Sequence, residues 1–380
     1  MSPHMPSLVQ SRHTTRRRPA AATLYMVATA ALLLTGCNDI AVGPSPRLTN
    51  QVIADEVNNV FLPNFDSLAT RGTRLSADIN ALVAAATPNA LAAAQADWKL
   101  ARASYEFGEA FSFGPIQTDG IDPAVDSWPV DVSGINTLIA GTDPITTESI
   151  HALPTTLKGF HAVEFVLFGP SGAPTTATSL TARQLEFLLA AGQDLSNELT
   201  ALRTAWDPAQ GNFAAQVLNA GRSGSAYSSQ NAAMQDIVTQ MSTQPAQVIY
   251  KLSQPLTTDS SIYEESLFSD NTLGDIQSNI AGTAALYFGG SSSMSRGGLS
   301  TIVAASDPAL DATVRAQFAE ATAKLALIVP SFNTALQSDP VLLQNAEQAV
   351  LSLQKTMINL VAPLLGVGSA GPLGGQSDND

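Results

Sequence analysis

Apolar residues recur at helical spacing along most of this chain. From 49 to 86 they fall at Val52, Val57, Val60, Phe61, Phe65, Leu68, Leu75, Ile79 and Leu82, largely in the steps that line one face of a helix. Pro63 predicts a break in that run, because an internal proline removes a backbone donor and crowds the preceding turn. Pro88-Asn89 opens a second helix over 90–113, and the same patterning returns over 151–168, 180–206, 226–252, 263–287, 308–336 and 340–364. Residues 114–148 are rich in Gly, Pro and Asp and predict a long irregular segment. Strand-like alternation is scarce, whereas Ala and Gln are abundant. Asp207-Pro208 through Asn212 marks a boundary. The pattern therefore predicts an all-α fold of two antiparallel four-helix-bundle-like domains, 49–209 and 210–365. Val166-Leu167-Phe168-Gly169 and Leu286-Tyr287-Phe288-Gly289 each close a helix, a faint echo that suggests a duplication.

The two ends follow other rules. Residues 1–36 carry Arg12, Arg16, Arg17 and Arg18 with no acid, then an apolar run from Ala20 to Leu34 that is too short to span a bilayer. This is the layout of an export signal. Leu34-Thr35-Gly36-Cys37 also looks like a lipobox, which would place a lipid on Cys37, the only cysteine in the chain. A membrane-anchored, periplasm-facing lipoprotein is expected, and Asn38 after the cysteine favours the outer membrane. Residues 37–48, with Gly43-Pro44-Ser45-Pro46, read as a flexible tether, and 366–380 as a disordered tail. Once the four arginines of the signal are removed, 14 of the 18 Lys and Arg remain against 32 Asp and Glu, a net charge of −18. Such acidity argues against nucleic acid as a partner and is compatible with cation binding.

Candidate chemistry centres on Gly159-Phe160-His161-Ala162-Val163-Glu164, where His161 and Glu164 share one helical face among apolar neighbours. A buried imidazole and carboxylate need partners, either a hydrogen-bond network or a metal ion. Of four histidines, His4 and His13 leave with the signal, so no three-histidine zinc site can form. Histidine with carboxylates suits iron or manganese, and zinc remains open if His151 joins. His151, three residues before Pro154, reads as a surface residue. Trp98, Arg102, Tyr105 and Glu109 descend one face of the second helix, with Glu109 inward; Glu106 reads as an exposed partner of Arg102. Ser269 and Asp270 read as helix caps, Glu265 less so. Gly289-Gly290-Ser291 lacks the lysine of a phosphate-binding loop, and no nucleophile triad has local support.

Gly159-x-His161-x-x-Glu164 resembles the Gly-x-His-x-x-Glu motif of the imelysin family. Trp98-x-x-x-Arg102-x-x-Tyr105-Glu106 running to Glu109-Ala110-Phe111-Ser112-Phe113-Gly114-Pro115 is similar to it too, as are Ile121-Asp122 with Ser127-Trp128-Pro129-Val130-Asp131. So is Glu265-Ser266-x-Phe268-Ser269-Asp270-Asn271-Thr272-x-x-Asp275-Ile276, followed by Gly282 and Leu286-Tyr287. Their order, over roughly 50–365, carries the resemblance. It implies an exported protein of two helical bundles with a site between them, holding His161 and Glu164 and lined by Arg102, Glu109, Glu265 and Ser269. It also implies a peptidase label and kinship with iron-regulated proteins and ferrous-iron uptake components. A zinc peptidase needs about three protein ligands, an open water position and a general base, and the local motif supplies one His and one Glu. The expectation is therefore a metal-binding lipoprotein for a divalent ion, iron before zinc, in iron acquisition or homeostasis with iron-transport partners. A metal-dependent peptidase and a metal-free peptide- or ligand-binding protein are the alternatives.

Overall fold

Local signals start most of the helices. In the computed structural model, which describes residues 45–170, 173–257, 263–290 and 297–368, Ser45 caps α1 (Pro46–Glu56) through the Leu48 amide at 3.3 Å. The expected signal, Cys37 and most of the expected tether and tail lie outside these residues. The helix begins inside the stretch read as tether, because Ser45-Pro46 is a cap followed by the proline that suits a first helical turn. A single π turn, Val57–Phe61, joins it to α2 (Leu62–Ala84), with the Leu62 amide bonded to Val57 O. Pro63 thus widens the helix instead of breaking it, which makes room for the pyrrolidine ring. The same device recurs near the other end, where a π turn over Met357–Val361 precedes Pro363.

Thr87 caps α3 (Pro88–Gly108) at the Ala90 amide, and a 3-10 turn, Glu109–Phe111, continues it. The segment expected to be irregular holds α4 (Pro115–Thr118), α5 (Ile121–Asp126), α6 (Val132–Ala140) and α7 (Thr147–His151). Helices this short show no apolar period, so composition hid them. Next come α8 (Gly159–Phe168) and α9 (Ala182–Trp206), the latter opened by a Thr181–Gln184 capping box. Then follow α10 (Phe213–Leu218), α11 (Gln230–Thr257), α12 (Thr272–Phe288), α13 (Leu299–Ser306), α14 (Pro308–Ala326), α15 (Phe332–Ser338), α16 (Val341–Thr356) and α17 (Ala362–Leu364). The helix expected over 263–287 starts only at Thr272, because Ser266 and Asp270 adopt positive φ (51° and 52°) and turn the chain first.

Among the described residues the chain is all-helical, with no strand, and these residues all belong to one compact unit. Within it, α2 packs on α3 and α9, and α8 packs on both α3 and α9; α11 packs on α12 and α16, and α14 on both of those. These are two rings of four helices. Helix α3 also packs on α12, and the turn after α3 packs on α11, so α3 belongs to both. Gly282 makes that crossing: a β-carbon there would lie 2.0 Å from the Phe107 carbonyl. The first ring is filled by an aromatic cluster in which Phe61 stacks on Phe111 (4.8 Å between centroids) and Trp206 meets Phe213 edge-on (4.9 Å). Among the described residues no helix is long and apolar enough to cross a membrane.

Candidate functional site

At the seam of the two rings, α3 buries Arg102, with no exposed surface, among four carboxylates, one from α3 itself and three from other segments. Its Nη1 contacts Asp126 at the end of α5, and its Nη2 contacts Glu106 one turn along α3. Nη2 also lies 3.3 Å from Glu265 Oε2, and Nε 3.4 Å from Asp275 Oδ2 in the first turn of α12. The guanidinium carbon sits 5.6 and 5.5 Å from the ring centroids of Tyr105 and Phe160. An isolated buried charge would be very costly; four acids make this one tolerable.

Glu106 is the largest departure from the sequence reading. It does pair with Arg102, but it is wholly buried, because α12 covers the face of α3 expected to meet solvent and Lys251 reaches in from α11. Lys251 of α11 lies 3.2 Å from its Oε2, and the Asn279 amide donates to that oxygen at 2.6 Å. Burial opposes ionisation, yet Arg102 and Lys251 outweigh it and hold the Glu106 carboxyl well below the usual range. Lys251 also reaches Glu265 Oε2 at 2.8 Å. Glu109 is half-buried at the edge of the network and accepts from Asn279 (2.6 Å) and Gln244 (3.1 Å).

His161 enters this network from α8. Gly159 begins that helix at φ +78°, and a β-carbon on it would lie 2.5 Å from Val125 O, so only glycine lets α8 press against α5. That contact brings His161 Nε2 to 3.1 Å from Asp126 Oδ1, an approach not aligned as a hydrogen bond. The other ring nitrogen, Nδ1, donates to Glu164 Oε2 at 3.1 Å. Glu164 Oε1 in turn accepts from the Ser269 amide at 2.8 Å and its hydroxyl at 2.7 Å. Ser269 is therefore no helix cap: Asn271 takes that position, and Ser269 is turned back to bind Glu164 across the seam. Asp270, also read as a cap, is exposed. Burial and Arg102 push the His161 pKa down, but Asp126 and Glu164 more than offset them and hold it up at about 9. Trp128 stands edge-on to the imidazole, 4.7 Å between centroids.

Two acids beside this core are shifted the other way. Glu264 is buried, its Oε1 has no hydrogen bond, and burial with Asp270 and Glu164 nearby pushes its pKa to about 7. Burial and the neighbouring Glu106 likewise raise Asp275, which the Ser266 hydroxyl contacts.

His161, Glu164, Arg102, Glu109, Glu265 and Ser269 thus meet in one network, which also contains Asp126, Lys251, Asp275 and Asn279. The last four were not singled out as site residues from the sequence. Lys251 did leave a signal, since α11 contains only Asp236 besides it as a charged residue. Asp126 had none, being one of several aspartates in a segment without period. His151 lies elsewhere, exposed on α7 and close to Asp194 and Glu198.

An all-helical chain of two four-helix rings around a buried His–carboxylate–Arg network is the class that fold and site define. The imelysin family model matches residues 61–359, and the chain belongs to that family. It is 31% identical over 324 residues, 84% of this chain and 87% of the relative, to "Iron-regulated protein A" of Synechococcus elongatus. Its fold is that of a crystal structure described as an iron-regulated protein A precursor from Parabacteroides distasonis (TM-score 0.75, 23% identity, 85% of this chain and 96% of that one). An imelysin-like protein from Psychrobacter arcticum is similar as well (TM-score 0.70, 15% identity, 86% of this chain and 98% of that one).

Proposed function

We propose that this protein binds a divalent metal ion, iron above all, at His161 and Asp126, as a carrier or sensor in iron acquisition rather than as a peptidase. The observation that carries this reading is the way His161 is held. Glu164 fixes Nδ1 and spends both its oxygens on His161 and Ser269, so it orients the ring instead of binding the ion. Nε2, buried and without a hydrogen bond, faces Asp126 Oδ1 at 3.1 Å. That separation matches the edge of about 3 Å between adjacent donors around an octahedral ion with bonds of about 2.1 Å. The wider charge balance favours a cation: Glu106, Glu109, Asp126, Glu164, Glu265 and Asp275 surround two permanent positive charges, Arg102 and Lys251. Arg102 shares Asp126 Oδ1, and three further carboxylates can keep it when that oxygen turns to a metal.

A peptidase would need about three ligands around an open water position. Among the described residues, no three His, Cys, Asp or Glu ligand atoms gather that closely at His161. The name of the cyanobacterial relative supports the link to iron. Export and lipidation at Cys37 would put the cargo outside the cytoplasm, where an iron-transport partner would receive it.

Anaerobic titration of the full chain with ferrous ion tests this, with His161→Ala as the comparison. We expect affinity at least 100-fold weaker in the variant. Equal binding by both would overturn the assignment. Proteolysis abolished by a chelator and by Glu164→Ala would put a peptidase in its place.

A further inference from the structure

A second histidine stands between two acids on the surface. His151 ends α7 with its side chain 66% exposed, and Asp194 and Glu198 lie one turn apart on α9. Asp194 Oδ1 and Glu198 Oε1 both lie 3.1 Å from the same ring nitrogen, Nδ1. Among the described residues, this is the one group of three or more His, Cys, Asp and Glu whose ligand atoms all lie within 4.8 Å of one another.

An imidazolium shared between two carboxylates would produce the same contacts, and most exposed ion pairs are nothing more. Two features exceed that. Asp194 is 2% exposed, and its Oδ2 is buried without a hydrogen bond. The Lys158 ammonium approaches that oxygen only to 4.0 Å and donates instead to His151 O at 3.0 Å. A half-satisfied buried carboxylate is costly, and a surface ion pair gives no reason to bury one. The second feature is metric. Nitrogen–oxygen separations of 3.1 Å are the edges of an octahedral or distorted site with bonds of about 2.1 Å, so an ion replacing the Nδ1 proton meets all three ligands without backbone movement.

We propose that His151 Nδ1, Asp194 and Glu198 form a peripheral site for a first-row divalent transition-metal ion, distinct from His161. With a neutral imidazole, the two carboxylates and Lys158 leave one net negative charge beside the ligands, which a dication reverses by its own +2. One imidazole with two carboxylates suits manganese, iron and zinc over calcium or copper(I). The exposed imidazole lets the ion load from solvent without opening the core. Lys158 and Asp194 tie this site to the start of α8, the helix that carries His161.

The test is calorimetric titration of the full chain with zinc, comparing wild type with His151→Gln. Glutamine keeps an N–H for the two acids but removes the imidazole donor, so it separates a hydrogen-bonding role from a metal-binding one. We expect stoichiometry to fall by one site in His151→Gln, with an unchanged circular-dichroism melt, and affinity at the same site to weaken at least tenfold in Glu198→Gln. The same loss should occur in a His161→Ala background, where it cannot arise from the buried network. Identical zinc binding by wild type and His151→Gln, or no zinc bound by wild type up to millimolar concentration, overturns the proposal.

Discussion

His161 and His151 each stand 3.1 Å from two carboxylates, yet they have opposite physics. At His161 the acids divide between the two ring nitrogens, and the side chain is 1% exposed. At His151 both acids crowd onto Nδ1 of a ring mostly in solvent. Distance alone does not rank interactions; what surrounds them does. Water reaches the ring of His151 even though its partner Asp194 is buried, whereas His161 and the carboxylates around it are all shut away from solvent. The first is an attachment, the second a part of the core.

The contrast breaks most sharply at Arg102. Arg102→Met leaves Asp126, Glu106, Glu265 and Asp275 with fewer counter-charges in a dry environment, and breaking a buried ion pair costs about 3–5 kcal/mol. Urea unfolding should show a loss of that size, and a loss under about 1 kcal/mol would mean that the network is not dry. Glu264 sharpens the comparison by pH. Its carboxyl holds a proton up to about 7 when folded, but only to about 4.5 when unfolded. The folded state binds the extra proton between those values, so stability falls as pH rises through that window and stays lower above it. A shift of this size is worth roughly 3 kcal/mol. Glu264→Gln should flatten the slope of stability between pH 4.5 and 7, and an unchanged slope would refute the assignment. The smallest effect belongs to His151→Gln: the imidazole is mostly in solvent and glutamine keeps an N–H for both acids, so the change should cost less than about 1 kcal/mol in thermal or urea unfolding. A change matching that of Arg102→Met would erase the distinction between the two regions.

Much of the helical framework was legible because its signals are local. Thr87 before Pro88, the Thr181–Gln184 box and the long apolar periods act over a few residues. His161 and Glu164 were legible for the same reason, sitting one turn apart on α8. What stayed hidden depends on packing between distant segments. A helical period shows which face of α3 is apolar but not that a second ring covers the other, so Glu106 read as solvent-facing. Ser269 precedes a helix and looks like a cap; only the positive φ of Ser266 and Asp270 turns it away from that helix toward Glu164. Asp126 carries no pattern at all, because its role comes from where Gly159 lets α8 touch α5.

Helix α3's membership of both rings joins contacts of very different sequence separation on one side chain. Arg102 meets Asp126 across 24 positions of sequence but Asp275 across 173. Closing so long a loop is slow compared with forming local helices. The Arg102–Asp126 and His161–Glu164 pairs can therefore form while Lys251, Glu265 and Asp275 are still in water. A chain that had formed the first ring alone would present His161 without Ser269 to anchor Glu164. The network is whole only when both rings are in place, so its completeness reports that the second ring has docked on the first.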